Sequence, residues 1–336
     1  MKKIIKFSKS YKNIINIKDD FYKNNSLNLK NQLKISTQYK LNPKRKFCKN
    51  CNKRTLNKFI ESFSIEYLLC STCNQLNGKF QDTTSFAKKL YATENGKNYS
   101  KNYLKDYSSR VKNIYIPKAI FLKKVIKKNI KVMDIGCGGG HFLKALEKKN
   151  IKAIGYETSK ILSSLGNKKL KKNKIFNSEF NDIYQIVKDN KLYNTISLIE
   201  VLEHLTDPHK MLNAFKKSKA EFLYISVPLF SLSVFLENSF KHIFPRQLSG
   251  GHTHLYTEKS LNFLAKKYNF EIIGEWWFGT DFPDLYRSLI NSGKILDKKN
   301  YFKEINKKFV LVLDELQTVL DKKKICSEVH MIFQKK

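Results

Sequence analysis

The spacing of apolar and polar positions predicts a chain that alternates strand and helix over most of its length. Ile130, Val132, Met133 and Ile135 form a short, partly β-branched apolar run, and Phe142, Leu143 and Leu146 then recur at helical spacing. A second β-branched run occupies 151–156, which completes a strand, helix, strand unit. Further helices are predicted over 159–170, from Asp207 as N-cap and Pro208 as first residue to about 219, and over 257–267 with Thr257 as N-cap. Strands are predicted over 174–177, 193–199, 222–227 and 270–278. Helices over 281–291 and 301–320 and a last strand over 325–333 close the pattern. Such alternation predicts an α/β fold, doubly wound on a mostly parallel sheet.

The first half reads differently. Residues 1–45 are rich in lysine and asparagine with no sustained period, which predicts either a solvated segment or one ordered against its neighbour. In 46–80, Cys48-Lys-Asn-Cys51 and Cys70-Ser-Thr-Cys73 flank a stretch of strand character. Two such knuckles joined by a hairpin-length segment have the spacing of a zinc ribbon, in which four thiolates close a tetrahedral site and the metal substitutes for a core. A closed set of four cysteines leaves no open coordination position, so structural zinc is expected. In 81–128, Tyr99, Tyr103, Tyr107, Arg110 and Ile114 would share one helical face.

The run from Asp134 to Glu157 carries the most chemistry. The first strand ends in Asp134-Ile-Gly-Cys-Gly-Gly-Gly140, and the second ends on Glu157. Glycines at a strand end let the backbone approach a ligand closely, and an acid at the tip of the next strand can accept both hydroxyls of a ribose. The order, acid first and then Gly-x-Gly-x-Gly, resembles motif I of the class I S-adenosylmethionine-dependent methyltransferases. That resemblance implies a seven-stranded sheet with an antiparallel final strand, S-adenosylmethionine as cofactor, and a domain over 129–336. By position it implies that Gly136 and Gly138 take the methionine part, Asp134 orders the loop, Glu157 binds the ribose and Phe180 approaches the adenine. It also gives Arg110 a possible part, contact with the methionine carboxylate from a helical lid.

A second place is Glu200-Val-Leu-Glu203-His204, just after the strand 193–199. If helical, it presents Glu200, Glu203 and His204 on one face at the carboxyl edge of the sheet. It resembles a Glu-x-x-Glu-His motif that binds a divalent metal in ubiquinone-biosynthesis O-methyltransferases and small-RNA 2′-O-methyltransferases. In the RNA enzymes a further histidine comes from a later loop, and this chain has His252 and His254. Magnesium or another divalent ion held by Glu200, Glu203, His204 and His252 would lower the pKa of a substrate hydroxyl. The other reading makes His204 or His254 a general base, with Glu200 beside it.

The net charge of +35 would ordinarily suggest nucleic acid. Only Arg45, Arg54, Arg110, Arg246 and Arg287 supply forked donors, and the lysines are spread along the whole chain, so nucleic acid is not the favoured partner. Paired Cys-x-x-Cys motifs, the absence of a signal-length apolar segment and of any run of ~18 apolar residues predict a cytoplasmic protein. A ribbon ahead of such a domain resembles the arrangement in bacterial sugar methyltransferases of deoxysugar and surface-polysaccharide pathways, but the segment between the cysteine pairs is shorter here. The expectation is therefore O-methylation of a sugar or glycan intermediate, with 229–250 as an insertion covering the acceptor. RNA 2′-O-methylation, a quinone-type small-molecule acceptor and a catalytically silent binding module are the alternatives; oligomeric state is not legible.

Overall fold

The computed structural model describes residues 2–11, 17, 23–91, 106–172, 174–249, 251–295 and 299–336. An eight-stranded sheet organises the chain. Its strands are β1 (Ile4–Phe7), β5 (Lys131–Ile135), β6 (Lys152–Glu157), β7 (Ile175–Asn177), β8 (Thr195–Ile199), β9 (Phe222–Pro228), β11 (Phe270–Phe278) and β12 (Glu328–Lys335). They lie in the order β1-β11-β12-β9-β8-β5-β6-β7. β5 pairs in parallel with β6 and β8, β8 in parallel with β9, and β12 runs antiparallel to both β9 and β11. Seven of these strands form the mostly parallel sheet expected from the sequence.

The eighth corrects that expectation. Ile4–Phe7 adds to the β11 edge in parallel, with Ile4 opposite Gly274 and Phe7 opposite Trp277. The indole N–H of Trp276 donates to the Ser8 carbonyl at 2.9 Å, and Asp314 accepts from the Ser10 hydroxyl and the Tyr11 N–H. The N-terminal segment is thus built into the sheet and covers an otherwise open edge.

Both faces are buried, as a central parallel strand requires. Along β9, Phe222 and Tyr224 pack into one core with Phe121, Leu122 and Phe142, while Leu223, Ile225 and Val227 pack into the other with Met211, Phe215 and Leu261. The helix Pro208–Lys217 starts as predicted, with Asp207 accepting from the Lys210 N–H; the helix Glu258–Tyr268 carries a capping box between Thr257 and Ser260.

The cysteine region forms a second sheet of β2 (Leu56–Ser62), β3 (Ile65–Cys70) and β4 (Leu76–Gly78), extended by β10 (His254–Leu255) from the distant second half of the chain. The stretch after β9 contains the helix Leu232–Ser239 and is clamped from behind. Asp281 accepts from the Ser231 hydroxyl and from the Ser233 N–H and hydroxyl, Arg246 forks onto Asp284 at 2.9–3.0 Å, and the Gln247 amide bridges the Leu229 and Ser327 carbonyls. Among the described residues, no helix is long and apolar enough to cross a membrane.

Candidate active site and cysteine cluster

The glycine loop leaves β5 through three left-handed residues, Gly136 (φ 66°), Gly138 (φ 53°) and Gly140 (φ 72°). At Gly136 the approach is also tight: a Cβ there would lie 2.7 Å from the Val201 side chain, so only glycine fits both the backbone and the space. Glu157 ends β6 beneath this loop. Its carboxylate accepts the N–H groups of Gly138 and Ser159, each at 2.8 Å. Asp134 is fully buried and accepts the Ser197 hydroxyl at 2.6 Å. Burial pushes the Asp134 carboxyl up to about 7 and raises that of Glu157.

Asp134, Gly136, Gly138, Glu157 and Phe180 all line one cavity of about 510 Å3. Glu200, His204 and His252 line the same cavity. Arg110 is not among its described lining residues; the guanidinium Nε is buried without a hydrogen-bond partner among the described residues, and Tyr115 from the same helical run reaches the cavity instead. Tyr99 and Tyr103, expected on the face of Arg110, lie outside the described residues. Tyr107 packs on His141 with ring centroids 4.1 Å apart, and Ile114 is buried.

The segment 200–204 is not the helical turn that would put all three side chains on one face. Glu200 takes a left-handed conformation (φ 57°), and only Leu202–His204 forms a 3-10 turn. Glu200 therefore turns toward Lys118, whose fully buried ammonium lies 3.0 Å from it. Glu203 is fully buried and, unlike Glu200, is not among the cavity's lining residues, and neither of its oxygens has a hydrogen-bond partner among the described residues. Desolvation raises its carboxyl well above the usual range.

Beside Glu203 stand two histidines. The Nδ1 of His204 faces the Tyr91 hydroxyl at 2.8 Å and the Gly251 carbonyl at 3.1 Å; the Nδ1 of His252 faces the Gln247 carbonyl at 2.9 Å. A carbonyl accepts, so each Nδ1 carries the proton and each Nε2 keeps its lone pair. The His204 Nε2 is 3.8 Å from the Glu203 carboxylate, and one ligand atom from each of Glu203, His204 and His252 lies within 4.8 Å of the others. Carbonyl-oriented imidazoles and an orphaned buried carboxylate fit a divalent cation. Burial, reinforced by His252, lowers the His204 imidazole to about 3, which suits a neutral ligand better than a base acting near neutrality.

His254 does not join them. It sits in β10 opposite Asn77, fully buried against the ribbon, with Nδ1 3.5 Å from the Lys49 ammonium, and it is not among the cavity's lining residues. His252 lies outside β10, in a turn where its N–H donates to the Ser249 carbonyl, so the two histidines are carried by different backbone and do not meet.

The four cysteines Cys48, Cys51, Cys70 and Cys73 are buried, unbridged and gathered in one cluster. The Cys48–Cys73 and Cys51–Cys70 sulfurs lie 3.6 and 3.5 Å apart. Those separations are close to the edge, about 3.8 Å, of a tetrahedron with ~2.3 Å zinc–sulfur bonds. The cluster could hold zinc. Asn77 reaches the Cys48 sulfur at 3.5 Å while its carbonyl oxygen takes the Lys49 N–H, and the hydrogen bond from Cys73 foremost holds the Cys48 thiol below its ordinary range.

Several cavity residues were not singled out from the sequence. Asn28, Asn31 and Gln32 project from the helix Asn25–Lys40, and Arg246 comes from the stretch after β9. Asn28, Asn31 and Gln32 have helical spacing, but only with a fold in hand does a polar face read as one turned inward.

A family model described as a methyltransferase domain matches residues 107–275. The ubiquinone biosynthesis O-methyltransferase of Coxiella burnetii is 27% identical over 110 residues, 31% of this chain and 47% of that protein. Its counterpart in Pelagibacter ubique is 32% identical over 80 residues, 24% and 33% of the two chains. The chain thus spans half or less of the length of the curated relatives it matches. Magnesium protoporphyrin IX methyltransferase of Synechocystis, solved with bound S-adenosylhomocysteine, aligns with a TM-score of 0.49 at 11% identity, over 76% of this chain and 100% of that one. A SAM-dependent methyltransferase of Archaeoglobus fulgidus aligns with a TM-score of 0.46 at 17% identity, over 71% and 99%.

Proposed function

The chain belongs to the methyltransferase-domain family, and on that premise we propose that it is an S-adenosylmethionine-dependent O-methyltransferase acting on a hydroxyl of a small molecule, a sugar or glycan intermediate. One observation carries the reading. The glycine loop and Glu157 line the same cavity as Glu200, His204 and His252, so a nucleoside held by the loop would share one chamber with the polar cluster.

When bound, the cofactor supplies a methyl group on a sulfonium. Glu157 would hold the ribose, since each carboxylate oxygen already taken by a backbone N–H keeps a lone pair for a hydroxyl. Asp134 would order the loop, and Phe180 would pack on the base. Glu203, His204 and His252 would hold a divalent cation that orients the acceptor hydroxyl and lowers its pKa. Glu200, fixed by Lys118, faces the cavity as a carboxylate able to accept a proton. The walls would align donor and acceptor, the main requirement of an in-line transfer.

A second reading, a phenolic quinone-type acceptor, draws support from the relatives and from the apolar side chains of Ile35, Leu90 and Phe244 in the cavity wall. Sugar nucleotides, quinol precursors and short RNAs assayed with labelled cofactor discriminate the acceptors. Calorimetry with S-adenosylmethionine on wild type and Asp134→Ala tests the premise: no heat with the wild type leaves a silent binding module.

A further inference from the structure

A second opening, about 660 Å3, lies between the cysteine module and the helices Pro208–Lys217 and Glu258–Tyr268. Its walls carry Arg45, Lys46, Lys49, Lys216 and Lys267 against two carboxylates, Asp82 and Asp207. Both acids are already committed. Asp82 is opposed by Arg45 at 3.0 Å and Lys49 at 2.7 Å and also accepts the Thr253 hydroxyl, while Asp207 caps a helix by accepting the Lys210 N–H at 2.9 Å. Lys46, Lys216 and Lys267 form no ion pair among the described residues. The cleft therefore holds three positive charges beyond those its own acids balance.

An orphaned group stands among them. The Nδ1 of His209 lies 2.8 Å from the Tyr268 hydroxyl, whereas its Nε2 is buried with no partner among the described residues. The Tyr268 hydroxyl also stands 3.3 Å from the His209 carbonyl, and its one hydrogen serves either that carbonyl or Nδ1; when it serves the closer Nδ1, Nε2 carries the proton and needs an acceptor. Phe47, at the rim and 47% exposed, offers an aromatic face. Lysine ammoniums act as point charges on phosphate, and uncommitted ones around an opening of this size suit a group with oxygens in several directions better than a single carboxylate.

We infer that this cleft binds the phosphate groups of a small molecule, their oxygens taken by Lys46, Lys216, Lys267 and the His209 Nε2. The site is separate from the cavity of the glycine loop, and it stands whether or not the reading of that cavity is right. Two sources share the chemistry, inorganic pyrophosphate and the diphosphate of a nucleotide.

The experiment is calorimetric titration of the full chain with inorganic pyrophosphate and with uridine diphosphate, in the absence of a methyl donor. Both are expected to bind, and Lys216→Gln/Lys267→Gln is expected to weaken both by about tenfold or more, while Lys171→Gln/Lys172→Gln, which removes the same charge elsewhere, leaves them unchanged. Tighter binding of uridine diphosphate that is lost in Phe47→Ala assigns the site to a nucleotide; equal affinities assign it to the phosphates alone. Absence of heat with both ligands overturns the inference. So does equal weakening by the two lysine pairs, which would trace binding to the diffuse charge of the chain.

Discussion

Glu157 and Gly138 are 19 positions apart in sequence and 2.8 Å apart in space, the carboxylate accepting the glycine's N–H. The acid at the tip of one strand thereby fixes the shape of the loop that leaves the other. Replacing it should cost the loop its anchor and the ribose its acceptor together. Glu157→Ala is expected to weaken S-adenosylmethionine binding by about 10- to 100-fold, the range for a hydrogen bond to a charged group. Calorimetry measures this, and an unchanged affinity would remove Glu157 from the cofactor site.

The orphaned Glu203 gives a sharper test. With a cation present its carboxylate is neutralised; without one it is a buried acid lacking a partner. Chelation and Glu203→Gln are each expected to lower methyl transfer by about 100-fold, since metal-site changes even beyond the ligands cost 10- to 100-fold. Activity indifferent to both would leave the divalent ion out of the mechanism.

Zinc removal should act on stability instead. Chelation or Cys73→Ser is expected to lower the melting temperature and to expose Cys48, Cys51 and Cys70 to thiol reagents, because a metal held there would stand in for a core in so small a module. Retention of the native melting temperature after verified metal loss would refute a structural role.

Glu237 sets a pH dependence. Burial, with help from the Asp284 charge, raises its carboxyl to about 7, and it accepts the N–H groups of Gln247 and Leu248. Between about 4.5 and 7 the unfolded chain releases this proton while the folded chain keeps it, so stability falls as pH rises through that window. The contribution is at most about 3 kcal/mol. Denaturant titrations at several pH values should show a shallower decline in Glu237→Gln than in wild type; parallel curves would discount the group.

The sequence made the glycine loop, the β-branched runs and the caps at Asp207 and Thr257 legible, because each rests on backbone geometry that few residues satisfy. The N-terminal segment was opaque for a physical reason. In the helix Asn25–Lys40, Gln32, Ser36 and Tyr39 are buried while Leu27 and Leu33 are exposed, so hydrophobic periodicity points the wrong way. Ile4–Phe7 is too short to show a period. At Glu200 a left-handed residue, which spacing cannot reveal, splits what reads as one helical face. His252 and His254 look equivalent in sequence, and only the pairing of β10 with β4 separates them.

That pairing also bears on how the protein comes into being. His254 and Leu255 complete the ribbon sheet against Asn77 and Leu76, residues made far earlier in synthesis. During translation the cysteine module could gather a metal early, yet its last strand arrives only after most of the chain has left the ribosome. Joining ends so distant is slow, and until it happens the β4 edge stays open to mispairing.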